Sequence, residues 1–337
     1  MNRLFLLLIL LVRPIIAQAF TLEKVVGVPN VSFRGLSVVN STTAWVSGTK
    51  GYVGISTNAG KNWAFKQVPG YGHCDFRTLY AFDAKTAIIA NAGIPAVILR
   101  TTDAGASWQQ VYKNDDTSAF IDGVDFWNNN DGILYGDPIK GHMMILLTHN
   151  GGRTWHELPL TGSPPLAQGE ASFAASGTCV HCFKNGRAII ATGGTHSRLW
   201  ISNDKGLSWT FLKTPIIQGL PTTGIFSFAF LNDKDGTIVG GDYKRDTLKT
   251  NHIFYTNDGG QTWLAPVTPT RGYRECVCYL SADTLIATGP TGADISIDAG
   301  RAWKPFSNEK GFHTIRKSRT GNLIIMTGTG EIALVGP

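Results

Sequence analysis

Residues 256–263 read TNDGGQTW, and five more octets follow the same pattern: STNAGKNW from Ser56, TTDAGASW from Thr101, THNGGRTW from Thr148, SNDKGLSW from Ser202 and SIDAGRAW from Ser296. Each ends on a tryptophan, at positions 63, 108, 155, 209, 263 and 303, so a unit of roughly 40 to 54 residues recurs. A repeat of this length is one supersecondary unit that must stack on copies of itself to bury its apolar faces. The period fits a four-stranded propeller blade with loops of varying length.

The order inside a unit is regular. The first carries short apolar or β-branched runs at 35–39, 44–48, 52–56 and 63–68, and the second repeats them at 78–82, 86–90, 97–101 and 108–112. The octet therefore falls between the third and fourth strands. Its letters describe a hairpin clamp: an Asp or Asn at position three to bond turn backbone, a glycine at position five for positive φ, and a tryptophan opening the outer strand. Each copy brings at most one carboxylate, and two copies carry Asn instead. That argues against calcium, which gathers about six to eight oxygens.

After Trp303 come three more runs, at 313–317, 322–327 and 332–335, with no octet. The run Thr21–Val26 near the start has no partner of its own. Placed as the fourth strand of the last unit, it closes the ring and leaves no open edge. The expected fold is all-β: a seven-bladed propeller of four-stranded antiparallel blades, the last closed by an N-terminal strand, in one domain over 20–337. A chain with 39 glycines and only 16% charged residues suits short strands and tight turns. Insertions at 159–169, 215–224 and 242–251 are the expected recognition loops.

Residues 1–19 read as a signal peptide. Arg3 precedes the apolar run Leu4–Val12, and Ala17-Gln18-Ala19 offers a small-x-small cleavage site. The protein is expected to be secreted or periplasmic, with no membrane span, and monomeric. A net charge of +6, without a dense basic run, gives no reason to expect nucleic acid. No dinucleotide-binding glycine fingerprint lies in a strand–turn–helix setting, and no cofactor or metal is expected. Five cysteines, an odd number, leave at least one outside any intrachain disulfide. Cys179-Val-His-Cys182 sits where a strand is expected, which favours a packing role over a zinc site.

The octets, written S/T-x-D/N-x-G-x-x-W, resemble the Asp-box or BNR repeats of sialidases, sortilins and several glycan-active propellers. Phrases such as ILRTTDAGASW, ending at Trp108, resemble the photosystem II assembly and stability factor family and its non-photosynthetic bacterial homologues, over roughly 31–335. That resemblance implies a scaffold that binds an assembling protein, with an arginine patch implicated. Arg34, Arg77 and Arg274 lie just before or inside first strands and are expected around one mouth of the channel, with Lys50 and Arg316 adding charge. Tyr71, Trp127, Tyr243 and Tyr273 lie near blade ends and are candidate aromatic anchors. The expected ligand is a protein or glycan with an acidic group, met by guanidinium.

The alternative is a sialidase-like glycoside hydrolase. It would use the same three arginines as a carboxylate clamp, Tyr243 or Tyr273 as nucleophile, Glu170 or Glu275 as activating carboxylate, and Asp122 or Asp137 as acid. More generally, a pair drawn from Asp122, Asp137, Glu170 and Asp242 would have to converge at a hydrolytic spacing.

Overall fold

The computed structural model describes residues 20–336; the leader expected at 1–19 lies outside the described residues. Seven antiparallel sheets follow one another along the chain. Blade 1 comprises Phe33–Val38, Ala44–Gly48, Tyr52–Ser56 and Ala64–Gln67. Blade 2 comprises Thr78–Ala81, Ala87–Ala90, Ala96–Thr101 and Gln109–Asn114. Blade 3 comprises Ile121–Phe126, Gly132–Ile139, His142–Thr148 and His156–Glu157. Blade 4 comprises Val180–Cys182, Ala188–Ala191, Arg198–Ser202 and Thr210–Lys213. Blade 5 is built on Thr223–Phe230, Gly236–Asp242 and Ile253–Thr256. Blade 6 comprises Cys276–Tyr279, Leu285–Gly289, Gly292–Ser296 and Lys304–Ser307. Blade 7 comprises Phe312–Lys317, Ile324–Gly328 and Glu331–Gly336. Its fourth strand is Thr21–Val26, paired antiparallel from Thr21↔Gly336 to Val26↔Glu331. The ring closes as the repeat arithmetic requires.

The second strands explain why this sequence makes blades. Ala87–Ala90, Ala188–Ala191 and Ile324–Gly328 are buried at every position, because a neighbouring blade covers each face. Such strands read as continuous apolar runs, whereas outer strands such as Ala64–Gln67 are mostly exposed. The cores lie between blades. Ile88, Ala90 and Ile98 of blade 2 pack with Phe126, Leu134 and Leu146 of blade 3.

Blade 5 departs from the four-strand plan. The short segments Glu170–Ala171 and Gly193–Gly194 leave the blade 4 region and extend its inner edge. Gly193 and Gly224 pair so closely that a Cβ on Gly224 would lie 2.4 Å from the Gly193 Cα. Its outer strand shrinks to a bridge between Tyr255 and Leu264.

All five cysteines are free thiols, four of them buried. The Cys179 thiol donates to the Phe226 carbonyl at 3.0 Å. No group of three His, Cys, Asp or Glu side chains among the described residues is placed to hold a metal ion. No helix among them is long and apolar enough to cross a membrane.

Candidate functional site: one mouth of the channel

Four of the seven inner strands share a defect near the channel. Pairing with the second strand slips at Arg34 in blade 1, Asp122 in blade 3, Phe226 in blade 5 and His313 in blade 7. A bulge of this kind re-aims the extra residue and recurs next to functional sites. Arg77 and Glu275 immediately precede the inner strands of blades 2 and 6. Arg34, Arg77, Phe226, Glu275 and His313 thus line one cavity of about 590 Å³, joined by Asp137, Phe173, Tyr243, Asp246 and Tyr273. The volume is within the range of small-ligand and peptide pockets.

Glu275 is the hub. Its Oε2 accepts from Arg34 Nη1 at 3.2 Å and lies 2.6 Å from His313 Nδ1, and its Oε1 accepts from the Tyr273 hydroxyl at 3.5 Å. Burial pushes its carboxyl up, but Arg34 and His313 outweigh burial and leave it below the usual carboxylate range. Arg34 also donates to the Ala175 carbonyl at 2.6 Å. Arg77 donates from Nε to Asp75 at 2.6 Å, and neither of its Nη groups has a partner among the described residues. Those groups are free to meet a carboxylate.

The aromatic wall is stacked. Phe173 and Phe226 lie face to face at 3.8 Å, Tyr273 meets Phe226 edge-on at 4.7 Å, and Tyr243 does so at 6.1 Å. Tyr243 is 45% exposed at the rim, whereas Tyr273 is 2% exposed. Asp137 accepts from the Ser172 N–H at 3.1 Å, and burial raises its carboxyl above the ordinary value. Asp122 is fully buried behind the cavity with no donor on either oxygen. Burial, then the neighbouring Asp137, raises its carboxyl well above the carboxylate range.

Comparison with solved structures identifies the architecture. YCF48 bound to D1 peptide superposes with a TM-score of 0.69 at 14% identity, over 94% of this chain and 97% of that one. YCF48 from Cyanidioschyzon merolae gives 0.67 at 16% identity, over 95% and 99%. The GH74 xyloglucanase from Xanthomonas campestris gives 0.58 at 12% identity, over 92% of this chain and 60% of that one. At these identities the likeness shows a propeller fold alone. No protein-family model and no curated protein matches the chain.

Of the residues singled out in the sequence, Arg34, Arg77, Asp137, Tyr243, Tyr273 and Glu275 line this cavity, and Arg274 does not. Arg274 is fully buried and bonded to Asp294, through Nε at 2.9 Å and through Nη2. In the segment that leads into the strand, Tyr273 and Glu275 line the cavity, while Arg274 between them turns the other way to reach Asp294. Lys50 lies outside it, on a left-handed turn with φ of 58°. Arg316 and Trp127 line the opposite mouth, and Tyr71 reaches toward Gln110 at 3.3 Å. His313 and Phe226 were missed. Their only sequence signal is position, since they stand where Arg34 stands in its blade.

The three-arginine clamp of a sialidase-like site is therefore not assembled. A tyrosine–glutamate pair exists, but burial and the Glu275 charge push the Tyr273 phenol well above its ordinary value. That is the opposite of an activated nucleophile. Glu170 lies elsewhere, accepting from Thr192 at 2.6 Å and Trp200 at 3.2 Å. Asp242 is tied to Arg245 at 2.7 Å.

Proposed function

We propose that the protein is an exported binding propeller, and that this mouth docks an acid-bearing polypeptide segment of a cell-envelope partner. The observation that carries the reading is Arg77, bonded through Nε alone, lining a cavity of about 590 Å³ with a stacked aromatic wall. A guanidinium with two free N–H donors recognises a carboxylate, and the aromatic rim supplies contact area at low entropy cost. Arg34, already held by Glu275 and Ala175, positions the wall and adds positive potential. The fold neighbour solved with D1 peptide supports a peptide as the kind of ligand a propeller of this shape takes. The leader-like first residues support export.

The test is selection of a displayed peptide library on the purified protein and on Arg77→Ala. Enriched peptides are expected to share an acidic residue and to lose about tenfold in affinity on Arg77→Ala. Enrichment indifferent to Arg77, or no enrichment together with turnover on a glycoside panel, would overturn the reading.

A further inference from the structure

The opposite mouth of the channel holds a second cavity, of about 380 Å³, that the docking site does not use. A small pocket lined by Arg77, Thr78, Ser176 and Arg316 shares a lining residue with each of the two cavities. The second cavity lies at the other ends of the inner strands. Leu36, Leu79, Val124, Phe126 and Trp127 give it an apolar wall.

Four cations also line it: Lys184, Arg316, Lys317 and Arg319. None of them forms an ion pair among the described residues; the acid in the cavity, Asp125, pairs with His181 instead, at 3.4 Å. Arg316 Nη2 donates to the Gly177 carbonyl at 2.8 Å, and Lys317 Nζ donates to the Leu280 carbonyl at 2.6 Å. Arg319 donates to Ser37 Oγ at 3.2 Å and to the Ala81 carbonyl, with its guanidinium 4.5 Å over the Tyr80 ring. The Arg316 Nε is buried and has no partner. Asp125 also accepts the backbone N–H groups of Cys182 at 2.7 Å and Phe126 at 2.9 Å, so it is held by His181 and the backbone rather than by any of the four cations.

This mouth therefore differs from the first, where Arg34 is ion-paired with Glu275 through Nη1 and Arg77 with Asp75 through Nε alone. Here Arg316, Lys317 and Arg319 are held by neutral carbonyls, a hydroxyl and a ring, so their positions are set while no carboxylate pairs with them. Pre-positioned donors lose little entropy when an anion arrives.

We propose that this second mouth binds a phosphomonoester carried on an apolar or aromatic body. A dianion answers two guanidiniums and two ammoniums better than a single carboxylate does. The apolar wall buries the body. This inference is independent of the peptide reading, because the two cavities share no lining residue.

Titration calorimetry on the full chain with phenyl phosphate, benzoate and benzyl alcohol tests it. Phenyl phosphate is expected to bind, benzoate at least about tenfold more weakly, and benzyl alcohol not measurably. Lys184→Ala, an exposed change that keeps the fold, is expected to weaken phenyl phosphate about threefold, and Arg316→Gln at least about tenfold. Lys213→Ala, on the outer strand of blade 4, should leave it unchanged. Affinity should fall as salt rises. Absence of phenyl phosphate binding, equal binding of benzoate or benzyl alcohol, or indifference to Lys184→Ala would each overturn the proposal.

Discussion

Asp122 and Arg274 are both buried charges, and they resolve the cost of burial in opposite ways. Asp122 has no donor on either oxygen, so burial raises its carboxyl well above the ordinary value of 3.8. The folded state then binds a proton that the unfolded state releases. Its stability is full below about pH 4 and declines as pH rises toward the folded pKa. Asp122→Asn removes that proton uptake, so the variant should gain on wild type as pH rises, by roughly 1–3 kcal/mol at neutral pH. Urea melts from pH 4 to 8 read this directly; parallel curves would contradict it. Glu275 has the reverse sign. Its carboxyl is lowered from 4.5 by Arg34 and His313 against burial, so its contribution is present above about pH 4.5 and lost as pH falls through the folded pKa. Glu275→Gln should flatten that acid-side loss. Arg274 is instead satisfied by Asp294, which also accepts from Arg271 Nε at 2.8 Å. Asp294→Asn leaves a fully buried guanidinium without its counter-charge and should cost about 3–5 kcal/mol in denaturant unfolding. In the sequence, Arg274 looked like Arg34 and Arg77. The difference is one position of register before the strand, and its partner lies on another strand twenty residues away. Neither is visible without pairing.

The octet shows how far an element is legible from its letters. The expected clamp is present in all six copies: the first-position hydroxyl donates to the third-position Asp or Asn at 2.7–3.1 Å. The same hydroxyl accepts the glycine N–H at 2.8–3.0 Å. Position three also accepts the N–H of position seven, as Asp103 does from Ser107 at 2.9 Å. Hydrogen bonds from Ser107 and Thr101 hold the Asp103 carboxyl down at about 2. Where Asn150 replaces Asp, the contact to Thr154 persists with the donor reversed, at 2.9 Å. Two things were not legible. Position four is also left-handed, with φ of 62° at Ala59 and 59° at Ala104. The glycine also faces the preceding blade: a Cβ on Gly152 would lie 2.1 Å from Ile88 Cδ1, and one on Gly60 would lie 2.6 Å from Leu334 Cδ2. The octet is therefore a joint between blades as well as a hairpin. Thr101→Val keeps the shape and removes the hydroxyl, leaving the buried Gly105 N–H unsatisfied. It should cost roughly 1–3 kcal/mol, measurable as a lower urea midpoint with unchanged slope.

At the scale of the whole molecule, the repeat count predicted the ring, and the unused run at 21–26 predicted how it closes. The mouths were less legible, because each gathers residues of several blades from segments far apart in the chain, and no local pattern records that convergence. Arg34 and Glu275 meet across 241 positions of sequence. Closure itself is a non-covalent joint. Strand 21–26 covers the edge of 331–336, while Ile332 packs with Phe33 and Leu36 of blade 1. The exposed ion pairs of Lys24 with Glu309 and Glu331 add little to it. Removing residues 20–27 bares the backbone of 331–336, and an uncovered edge strand pairs with whatever chain it meets. The truncated protein should melt at lower temperature and self-associate by light scattering. A peptide of sequence TLEKVV added in trans should reverse both effects in a concentration-dependent way, because it binds only the folded ring. A truncated chain that melts like the full one and stays monomeric would mean that the last blade stands on three strands, and that the N-terminal strand ornaments a ring already closed by the contacts between blades 7 and 1.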